Sequence, residues 1–358
     1  MNSCQRMTAL LNKEIPDRMG LFEHFWRETI SQYWVNEGYP EGEDPHDFFG
    51  LDLQQAGGWL DTTPFPGTSE LLEETDQWQV TKDGRGAILK NWKNKSGTPQ
   101  HIDFTVKSPK EWAEYREPLL EIDRRRYNAE ATRQALQDIR KHNRFATYGN
   151  MVFVELLRAT LGDVVWLPAL LIEKEWIHDF NSVYLEFFQA HYTQLFEEAG
   201  LPDGMFIYED LGFSNQLCCS PQVLREMFLP YYKELVGFFK SYGLPVILHT
   251  CGDIREAVPM IIEAGFDCLQ PMEAKAGNDV VQFANEYGDE LSYMGNIDVT
   301  VLNTNDKQRV REEIVRKLEA MRQMRIPYIF HSDHSIPPDV RYDTYCYALE
   351  LLHEYGDY

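Results

Sequence analysis

Two side chains that can bind a metal follow an apolar, strand-like segment in residues 245–253, Pro-Val-Ile-Leu-His-Thr-Cys-Gly-Asp. They are His249 and Cys251, and residues two apart on a strand point to the same face. An imidazole and a thiolate that leave one strand end together are good ligands for zinc or another borderline-soft metal. The same pair also fits a buried histidine beside a core cysteine, and the spacing alone does not separate these interpretations.

Other polar side chains recur directly after predicted strands. These clusters are Glu23-His24, Asn150, Glu209-Asp210, Glu273, Asn296 with Asp298, and Asp333-His334. Each has a structural explanation by itself, because Asp and Asn cap helices and occupy turns. Their joint placement at strand ends predicts a functional site. His331 is predicted to lie either at the rim or facing inward, and the adjacent Cys218 and Cys219 are interpreted as structural.

Short apolar strands that alternate with amphipathic helices position these clusters, a pattern typical of an α/β fold with a parallel sheet. Strands are predicted at 18–22, 57–60, 145–152, 205–208, 246–248, 267–271, 291–294 and 328–330. Helices are predicted at 179–199, 220–242, 254–264, 277–287 and 306–323. Eight strand–helix units close into a (β/α)₈ barrel, whose active site lies at the carboxyl ends of the strands. The sequence therefore predicts a single TIM-like barrel with the polar clusters at its mouth.

Residues 77–92 interrupt this alternation with the pattern of a β-hairpin. Asp83-Gly84 lies at its centre, and Asp-Gly is a preferred turn dipeptide of hairpins. We interpret the segment as a small β-hairpin inserted into the barrel, and not as a separate domain.

Composition excludes several classes of partner. The chain of 358 residues carries a net charge of -23, which repels nucleic acid and anionic membrane surfaces. It contains no apolar run of membrane-spanning length, and its first residues lack a signal-peptide core. Six scattered cysteines fit a reducing compartment better than a disulfide framework. The expected location is the cytoplasm.

Seven motifs carry a resemblance to a known family: Glu209-Asp210-Leu211-Gly212-Phe213, Ser220-Pro221, Phe228-Leu229-Pro230-Tyr231, His249-Thr250-Cys251-Gly252, Glu263-Ala264-Gly265-Phe266-Asp267, Gly295-Asn296-Ile297-Asp298 and His334-Ser335-Ile336-Pro337-Pro338-Asp339-Val340. As a set they resemble the uroporphyrinogen decarboxylase superfamily. The resemblance is strongest over 145–356 and weaker over 1–144, the part that contains the insertion. It implies one barrel domain spanning 1–358, and a homodimer is compatible with it.

The superfamily includes two chemistries. One is cofactor-free decarboxylation of uroporphyrinogen. The other is methyl transfer between a corrinoid protein and a thiol or similar acceptor, at a zinc ion held by a His-x-Cys pair and a distant cysteine. His249 and Cys251 match the pair, whereas His334 stands at the place of the distant cysteine, as it does in the decarboxylases. The resemblance therefore implies a zinc ion held by His249, Cys251 and His334, with one position open for the acceptor.

Acidic and amide side chains of the same strand ends complete the predicted site. Glu209, Asp210 and Asp333 are candidate catalytic groups, and each could instead be a ligand or orient a ligating imidazole. Asn150 and Asn296 are candidate contacts to a cofactor, with a corrinoid as the methyl carrier. The expected partners are a small-molecule substrate and a corrinoid protein.

Decarboxylation of uroporphyrinogen fits the sequence less well. This substrate carries a carboxylate on every side arm, and arginine forks pair carboxylates bidentately. The decarboxylases place Arg-Gln-Ala-Gly-Arg after the first strand, where this chain has Phe22-Glu23-His24-Phe25-Trp26-Arg27. Zinc-dependent methyl transfer is thus the expected function. A metal-free decarboxylase of a tetrapyrrole or smaller carboxylated substrate, and a non-catalytic corrinoid or tetrapyrrole binder, stay open as alternatives.

Overall fold

A computed structural model describes residues 1–94 and 99–358. Its strands are β1 (Gly20–Leu21), β2 (Leu53–Gln55), β3 (Ser69–Glu74), β4 (Trp78–Asp83), β5 (Ala87–Trp92), β6 (Gln100–Phe104), β7 (Phe145–Met151), β8 (Gly204–Tyr208), β9 (Gly212–Phe213), β10 (Gln216–Leu217), β11 (Val246–Thr250), β12 (Cys268–Pro271), β13 (Ser292–Met294) and β14 (Tyr328–Phe330). Its α-helices are α1 (Ser3–Leu11), α2 (Val35–Glu37), α3 (Pro45–Phe48), α4 (Pro109–Arg116), α5 (Ala129–Lys141), α6 (Phe153–Leu161), α7 (Asp163–Ile172), α8 (Lys174–Ala199), α9 (Pro221–Met227), α10 (Leu229–Ser241), α11 (Val258–Ala264), α12 (Val280–Tyr287), α13 (Val299–Leu302), α14 (Lys307–Met324) and α15 (Tyr342–Tyr355).

Eight parallel strands form one sheet in the order β1-β14-β13-β12-β11-β8-β7-β2. The two edge strands approach each other where Asp52 N donates to Leu21 O at 2.7 Å. Leu21 N returns a hydrogen bond of 2.8 Å to the Asp52 carboxylate. The sheet is therefore a nearly closed barrel with helices outside, and the predicted TIM-like fold is confirmed.

Helix α1 closes the amino-terminal end of the barrel. Its Met7, Leu10 and Leu11 pack in one apolar cluster with inward-facing strand residues such as Phe206 and Ile247. Ser292, at the start of β13, also donates its hydroxyl to the Leu10 carbonyl. Because this end is sealed, the carboxyl end of the strands is the open mouth of the barrel.

A buried ion cluster ties α1 to the seam between β1 and β2. The Asp52 side chain is fully buried and lies 2.8 Å from Arg6 Nη1 and 2.9 Å from Arg18 Nη1. Arg6 also reaches Asp17 at 2.8 Å. One buried carboxylate thus pairs with two guanidinium groups at the point where the barrel closes, and Asp17 supplies a second negative charge.

Two predicted elements differ from the structure. The strand predicted at 57–60 is wrong, because the second barrel strand is β2 and Gly57 and Gly58 follow it with φ of +80° and +70°. The helix predicted at 220–242 is two helices that meet at Phe228. Pro230 lies in the first turn of the second helix and has no N–H to continue the first.

The predicted hairpin is confirmed, but it belongs to a larger insertion. Strands β3, β4, β5 and β6 form a four-stranded antiparallel sheet outside the barrel. The turn between β4 and β5 begins at Asp83, whose side chain accepts from the backbone N–H groups of Arg85 and Ala87. Strand β3, Ser-Glu-Leu-Leu-Glu-Glu, is exposed along its whole length and so lacks the apolar alternation that reveals a strand.

Two further features concern the cysteines and the helices. All six cysteines are free thiols. Of the helices that the structure describes, none combines the length and apolar character needed to cross a bilayer.

Candidate active site

The polar clusters predicted at strand ends do lie at the carboxyl end of the barrel, opposite α1. Glu209 directly follows β8, Cys251 directly follows β11, and His331 directly follows β14. Because all eight strands are parallel, these positions share one rim. The barrel therefore gathers side chains from distant parts of the sequence around its mouth.

Asp210, His249 and Cys251 form a group in which one ligand atom of each lies within 4.8 Å of the others. Cys251 Sγ is 3.5 Å from His249 Nε2, and Asp210 Oδ1 is 3.6 Å from the same nitrogen. Ordinary zinc bond lengths and a tetrahedral angle place a sulfur about 3.6 Å, and a carboxylate oxygen about 3.4 Å, from a ligating imidazole nitrogen. Both distances to His249 Nε2 agree with these values, and the donor set of one imidazole, one thiol and one carboxylate fits zinc with a fourth position left open.

Backbone contacts hold the ends of β8 and β11 together at this group. The Cys251 N–H donates to Asp210 Oδ1 at 3.0 Å, which fixes the carboxylate beside the thiol. Gly252 has a φ of +80°, and a Cβ there would lie 2.3 Å from the backbone of Gly212. Only glycine permits this approach, so the residue after Cys251 sets the position of the thiol.

Burial opposes ionisation of both His249 and Cys251, whereas the neighbouring carboxylates act differently on the two groups. Burial lowers the pKa of His249 below its ordinary value, although the neighbouring Asp210 carboxylate acts in the opposite direction. Burial also raises the pKa of the Cys251 thiol well above its usual range, with Asp210 and Glu273 adding to the shift. Cys251 is thus a neutral thiol, and a metal ion bound by its sulfur would have to displace the thiol proton.

Gln270 of β12 orients the His249 ring. Its Oε1 lies 2.6 Å from His249 Nδ1. An amide oxygen can only accept, so Nδ1 carries the proton and Nε2 presents its lone pair toward Cys251. Sequence reasoning missed this residue, although a lone polar side chain in the buried strand Cys-Leu-Gln-Pro was an available signal.

His334, the third ligand predicted from the sequence, is not one of the three residues grouped in the described part of the chain. Its Nδ1 lies 3.3 Å from the Ser335 carbonyl oxygen, and its ring lies 6.4 Å from that of Trp26. The third member of the group is Asp210, which the sequence had offered as an alternative ligand. The role of His334 as a ligand stays a prediction.

Glu209 anchors the start of helix α6. Its two oxygens accept from the backbone N–H groups of Val154 at 3.0 Å and Glu155 at 2.9 Å, and Tyr232 donates its hydroxyl at 2.6 Å. Burial raises the pKa of Glu209 to about 8, while these three hydrogen bonds lower it. Its contacts support a structural role, and the predicted catalytic role stays a prediction.

Asp333, like Glu209, accepts hydrogen bonds from backbone N–H groups. Its Oδ1 accepts from the backbone N–H of Val299 at 2.9 Å, and its Oδ2 accepts from that of Ala274 at 2.8 Å. Burial raises the pKa of this carboxyl group. Asp333 thus fastens the loops after β12 and β13, and both its oxygens are occupied.

Asp333→Asn is therefore expected to destabilise the fold without changing metal content. Asparagine keeps one acceptor but turns an NH₂ group toward the other backbone N–H, and a buried donor left unpaired costs about 1–3 kcal/mol. Urea denaturation measures the loss of stability, and elemental analysis measures the metal. Metal loss at unchanged stability would instead make Asp333 a ligand.

The two asparagines predicted as cofactor contacts bind the backbone. Asn296 accepts from Val280 N at 3.0 Å and donates to two carbonyl groups, one of them that of Met272 at 2.6 Å. Asn150 donates to a backbone carbonyl at 3.3 Å. Both side chains are buried, and their contact with a cofactor stays a prediction.

A pair of imidazoles, His24 and His331, also lies at the mouth. His24 Nδ1 is 3.2 Å from His331 Nε2, and His331 is 1% exposed, so it takes the inward position of the two left open by the sequence. A cavity of about 460 Å³ adjoins His24, and it is lined by Phe22, Glu23, His24, Phe25, Trp26, Arg27, Ile30, Ser31, Pro45, His46, Gln54 and Gln55. This volume is in the range of small-molecule sites.

Comparison with solved structures supports the fold. The chain is similar to a methyltransferase from Methanosarcina mazei, with 14% identity, 99% of each chain covered and a TM-score of 0.69. At this identity the likeness shows the fold alone. A family 2 AP endonuclease from Brucella melitensis matches with 11% identity, 64% of this chain and 85% of that chain covered, and a TM-score of 0.33. Curated protein sequences give no significant match.

A family model settles the relationship that the motifs suggest. The model described as Uroporphyrinogen decarboxylase (URO-D) matches residues 164–355. This stretch is more than half of the chain and contains the strand ends that carry Asp210, His249 and Cys251. The chain therefore belongs to the uroporphyrinogen decarboxylase family.

Proposed function

We propose that this protein is a zinc-dependent methyltransferase that transfers a methyl group between a corrinoid and a thiol or similar small acceptor. The proposal is carried by the distances of Cys251 Sγ and Asp210 Oδ1 from His249 Nε2, which match those between tetrahedral zinc ligands. Three protein ligands with a fourth position open are typical of catalytic zinc sites. The fold shared with a methyltransferase supports this choice within the family.

The residues of the site prepare it for an acceptor that reacts as an anion. Zinc held here would lower the pKa of a thiol in the open position, and so supply a thiolate near neutral pH. Gln270 keeps His249 Nε2 free of a proton, and the Cys251 N–H keeps Asp210 Oδ1 in place. Glu273 accepts from the Gly252 N–H at 2.7 Å and pairs with Lys275 at 3.0 Å, which holds the turn after Cys251.

The cavity beside His24 supports a small acceptor. Much of its lining is apolar, including Phe22, Phe25, Trp26 and Ile30. A volume of about 460 Å³ suits a small molecule rather than a whole corrinoid. We therefore place the corrinoid at the open mouth, delivered by a partner protein. Free cysteines agree with the proposed cytoplasmic location, and the homodimer expected from the sequence remains part of the proposal.

Methyl transfer from methylcobalamin to a small thiol tests this function. We expect the purified protein to demethylate methylcobalamin only when the thiol is present, as followed by the change in corrinoid absorbance. Dialysis against a chelator should remove the activity, and one equivalent of zinc should restore it. Metal-independent turnover, or bound zinc with no turnover over a panel of thiols and alcohols, would contradict the proposal, and the second result would favour a non-catalytic corrinoid binder.

Decarboxylation of uroporphyrinogen is expected to be absent. Among the described residues that line the cavity, Arg27 is the sole arginine. A carboxylate without a charge-assisted hydrogen bond forgoes about 1.5–3 kcal/mol, and uroporphyrinogen brings several. Incubation with uroporphyrinogen under reducing conditions, followed by chromatography of the porphyrins, measures this. Stepwise loss of carboxylates would favour the metal-free decarboxylase over the zinc-dependent methyltransferase.

A further inference from the structure

A chain of hydrogen bonds runs from His249, in the group with Asp210 and Cys251, to His24 beside the cavity. Gln270 Oε1 lies 2.6 Å from His249 Nδ1, and Gln270 Nε2 lies 3.4 Å from His331 Nε2. The same nitrogen of His331 lies 3.2 Å from His24 Nδ1. Gln270 and His331 are almost fully buried, so no solvent competes for these contacts. One amide group thus connects His249 with a second imidazole that is not a ligand.

The Ser332 carbonyl oxygen determines which group donates and which accepts in every hydrogen bond of this chain. His331 Nδ1 contacts that oxygen, which can only accept, so Nδ1 carries the proton. Ser332 is itself fixed, because Glu23 accepts from its backbone N–H at 3.1 Å and from its hydroxyl at 2.7 Å. Burial lowers the pKa of His331 to about 3, so its ring is neutral near pH 7. His331 Nε2 is therefore a lone pair that only accepts.

An accepting Nε2 on His331 determines the orientation of the Gln270 amide. The NH₂ group must face His331, and the amide oxygen must then face His249. The flipped amide would place NH₂ against His249 Nδ1 and require the proton on His249 Nε2. That tautomer has no lone pair toward Cys251 and Asp210 and cannot bind a metal there. His24 Nδ1 donates into the same lone pair, which leaves His24 Nε2 without a proton.

We propose that His331 is a positioning residue of the metal site, which acts through Gln270 to hold His249 in the tautomer that ligates through Nε2. The proposal rests on the proposed function for its metal, but the tautomer of His249 is a property of the metal-free protein. His331 is not a member of the group of Asp210, His249 and Cys251, and it hydrogen-bonds to Gln270, His24 and Ser332. Its effect on the metal is therefore indirect and passes through one amide group.

Two replacements of His331 separate positioning from packing. His331→Phe keeps an aromatic ring but offers no acceptor, so the Gln270 amide is free to flip. His331→Gln can place its amide oxygen where the imidazole Nε2 was, and so can accept again. The matched control is His191→Phe. His191 is equally buried and hydrogen-bonded to Phe187 O at 2.8 Å and Asp123 N at 3.2 Å, in helix α8 away from the mouth.

The tautomer is read from the ¹⁵N chemical shifts of histidine side chains in metal-free protein. We expect His249 to carry its proton on Nδ1 in the natural protein, in His331→Gln and in His191→Phe, and to populate the Nε2–H form in His331→Phe. Cobalt(II) or zinc affinity, measured by chelator competition, should fall about 10- to 100-fold in His331→Phe, as is typical when a partner of a ligating histidine is lost. It should stay near the natural value in the other two variants.

The outcomes distinguish this proposal from the proposed function. A natural protein that shows the Nδ1–H tautomer of His249 but binds no metal would remove the function and leave the relay intact. An Nε2–H form of His249 in the natural protein, or an unchanged tautomer and metal affinity in His331→Phe, would overturn the relay. If His331→Phe does not fold, Gln270→Leu breaks the same link, and equal metal affinity in that variant would overturn the proposal as well.

Discussion

Replacing Cys251 by serine is expected to abolish stoichiometric zinc binding while the barrel stays folded. Sites with four protein ligands bind zinc with about 10–16 kcal/mol, so one ligand accounts for roughly 3 kcal/mol, or on the order of 100-fold in affinity. A serine hydroxyl is a far weaker zinc ligand than a thiolate. The fold should survive because Cys251 lies beyond the end of β11 and contributes no core packing. Elemental analysis after dialysis measures the metal, and a thermal melt measures the fold.

Cys219→Ser is the matched control for this change. Cys219 is another partly buried thiol, and it is not a member of the grouped ligands in the described residues. It should keep one equivalent of zinc. A Cys251→Ser protein that also keeps one equivalent would show that the thiol is not a ligand, and the proposed function would lose its main support.

Removal of the Asp52 carboxylate is expected to produce the largest loss of stability. Asp52→Leu leaves the buried Arg6 and the partly buried Arg18 without their shared partner at the barrel seam. Breaking a buried ion pair from one side costs about 3–5 kcal/mol, because the remaining charge is uncompensated. It also removes the acceptor of the Leu21 N–H where β1 meets β2. Urea denaturation should show the shift in the free energy of unfolding.

Glu74→Ala provides the comparison for an exposed ion pair. Glu74 lies 2.7 Å from Lys93, with both side chains well exposed on the inserted sheet. Such pairs contribute about 0–1 kcal/mol, so little change in stability is expected. Equal effects of Asp52→Leu and Glu74→Ala would contradict the view that the Asp52 cluster secures the barrel seam.

The part of the site that the sequence could predict is the part that local geometry decides. His249 and Cys251 lie two residues apart at one strand end, and strand alternation alone brings their side chains together. The position of Asp210 beside this pair depends on how the loop after β8 folds against the end of β11. The bond from Cys251 N to Asp210 spans 41 residues, and no local pattern encodes it. This is why Asp210 remained one of several alternatives to His334.

The contact between Gln270 and His331 could not be predicted from the sequence for a similar reason. Gln270 and His331 are 61 residues apart, and their contact exists only because β12 and β14 both project into the mouth. A polar residue at a buried strand position was visible in the sequence, but its partner was not. The structural contacts of Glu209 and Asp333 could not be predicted either, because these carboxylates bind backbone N–H groups that come within reach only after the loops have formed.

Fold prediction succeeded where strands are buried and apolar. Strands β8, β11 and β14 are hydrophobic runs bounded by polar residues, as expected for a parallel sheet covered on both faces. The second barrel strand was not predicted, because its sequence Leu-Gln-Gln is short and two of its three residues are polar. The exposed strand β3 was not predicted, because it has no buried face and therefore no alternation of apolar and polar residues.

X-ray absorption at the zinc edge, on protein purified without chelator, tests whether Cys251, His249 and Asp210 hold zinc. We expect one equivalent of zinc with one sulfur ligand at about 2.3 Å and nitrogen or oxygen ligands at about 2.0–2.2 Å, one of them from imidazole. The fourth position should be open to solvent or acceptor. Protein that is folded but holds no zinc, or holds zinc without a sulfur ligand, would contradict this expectation.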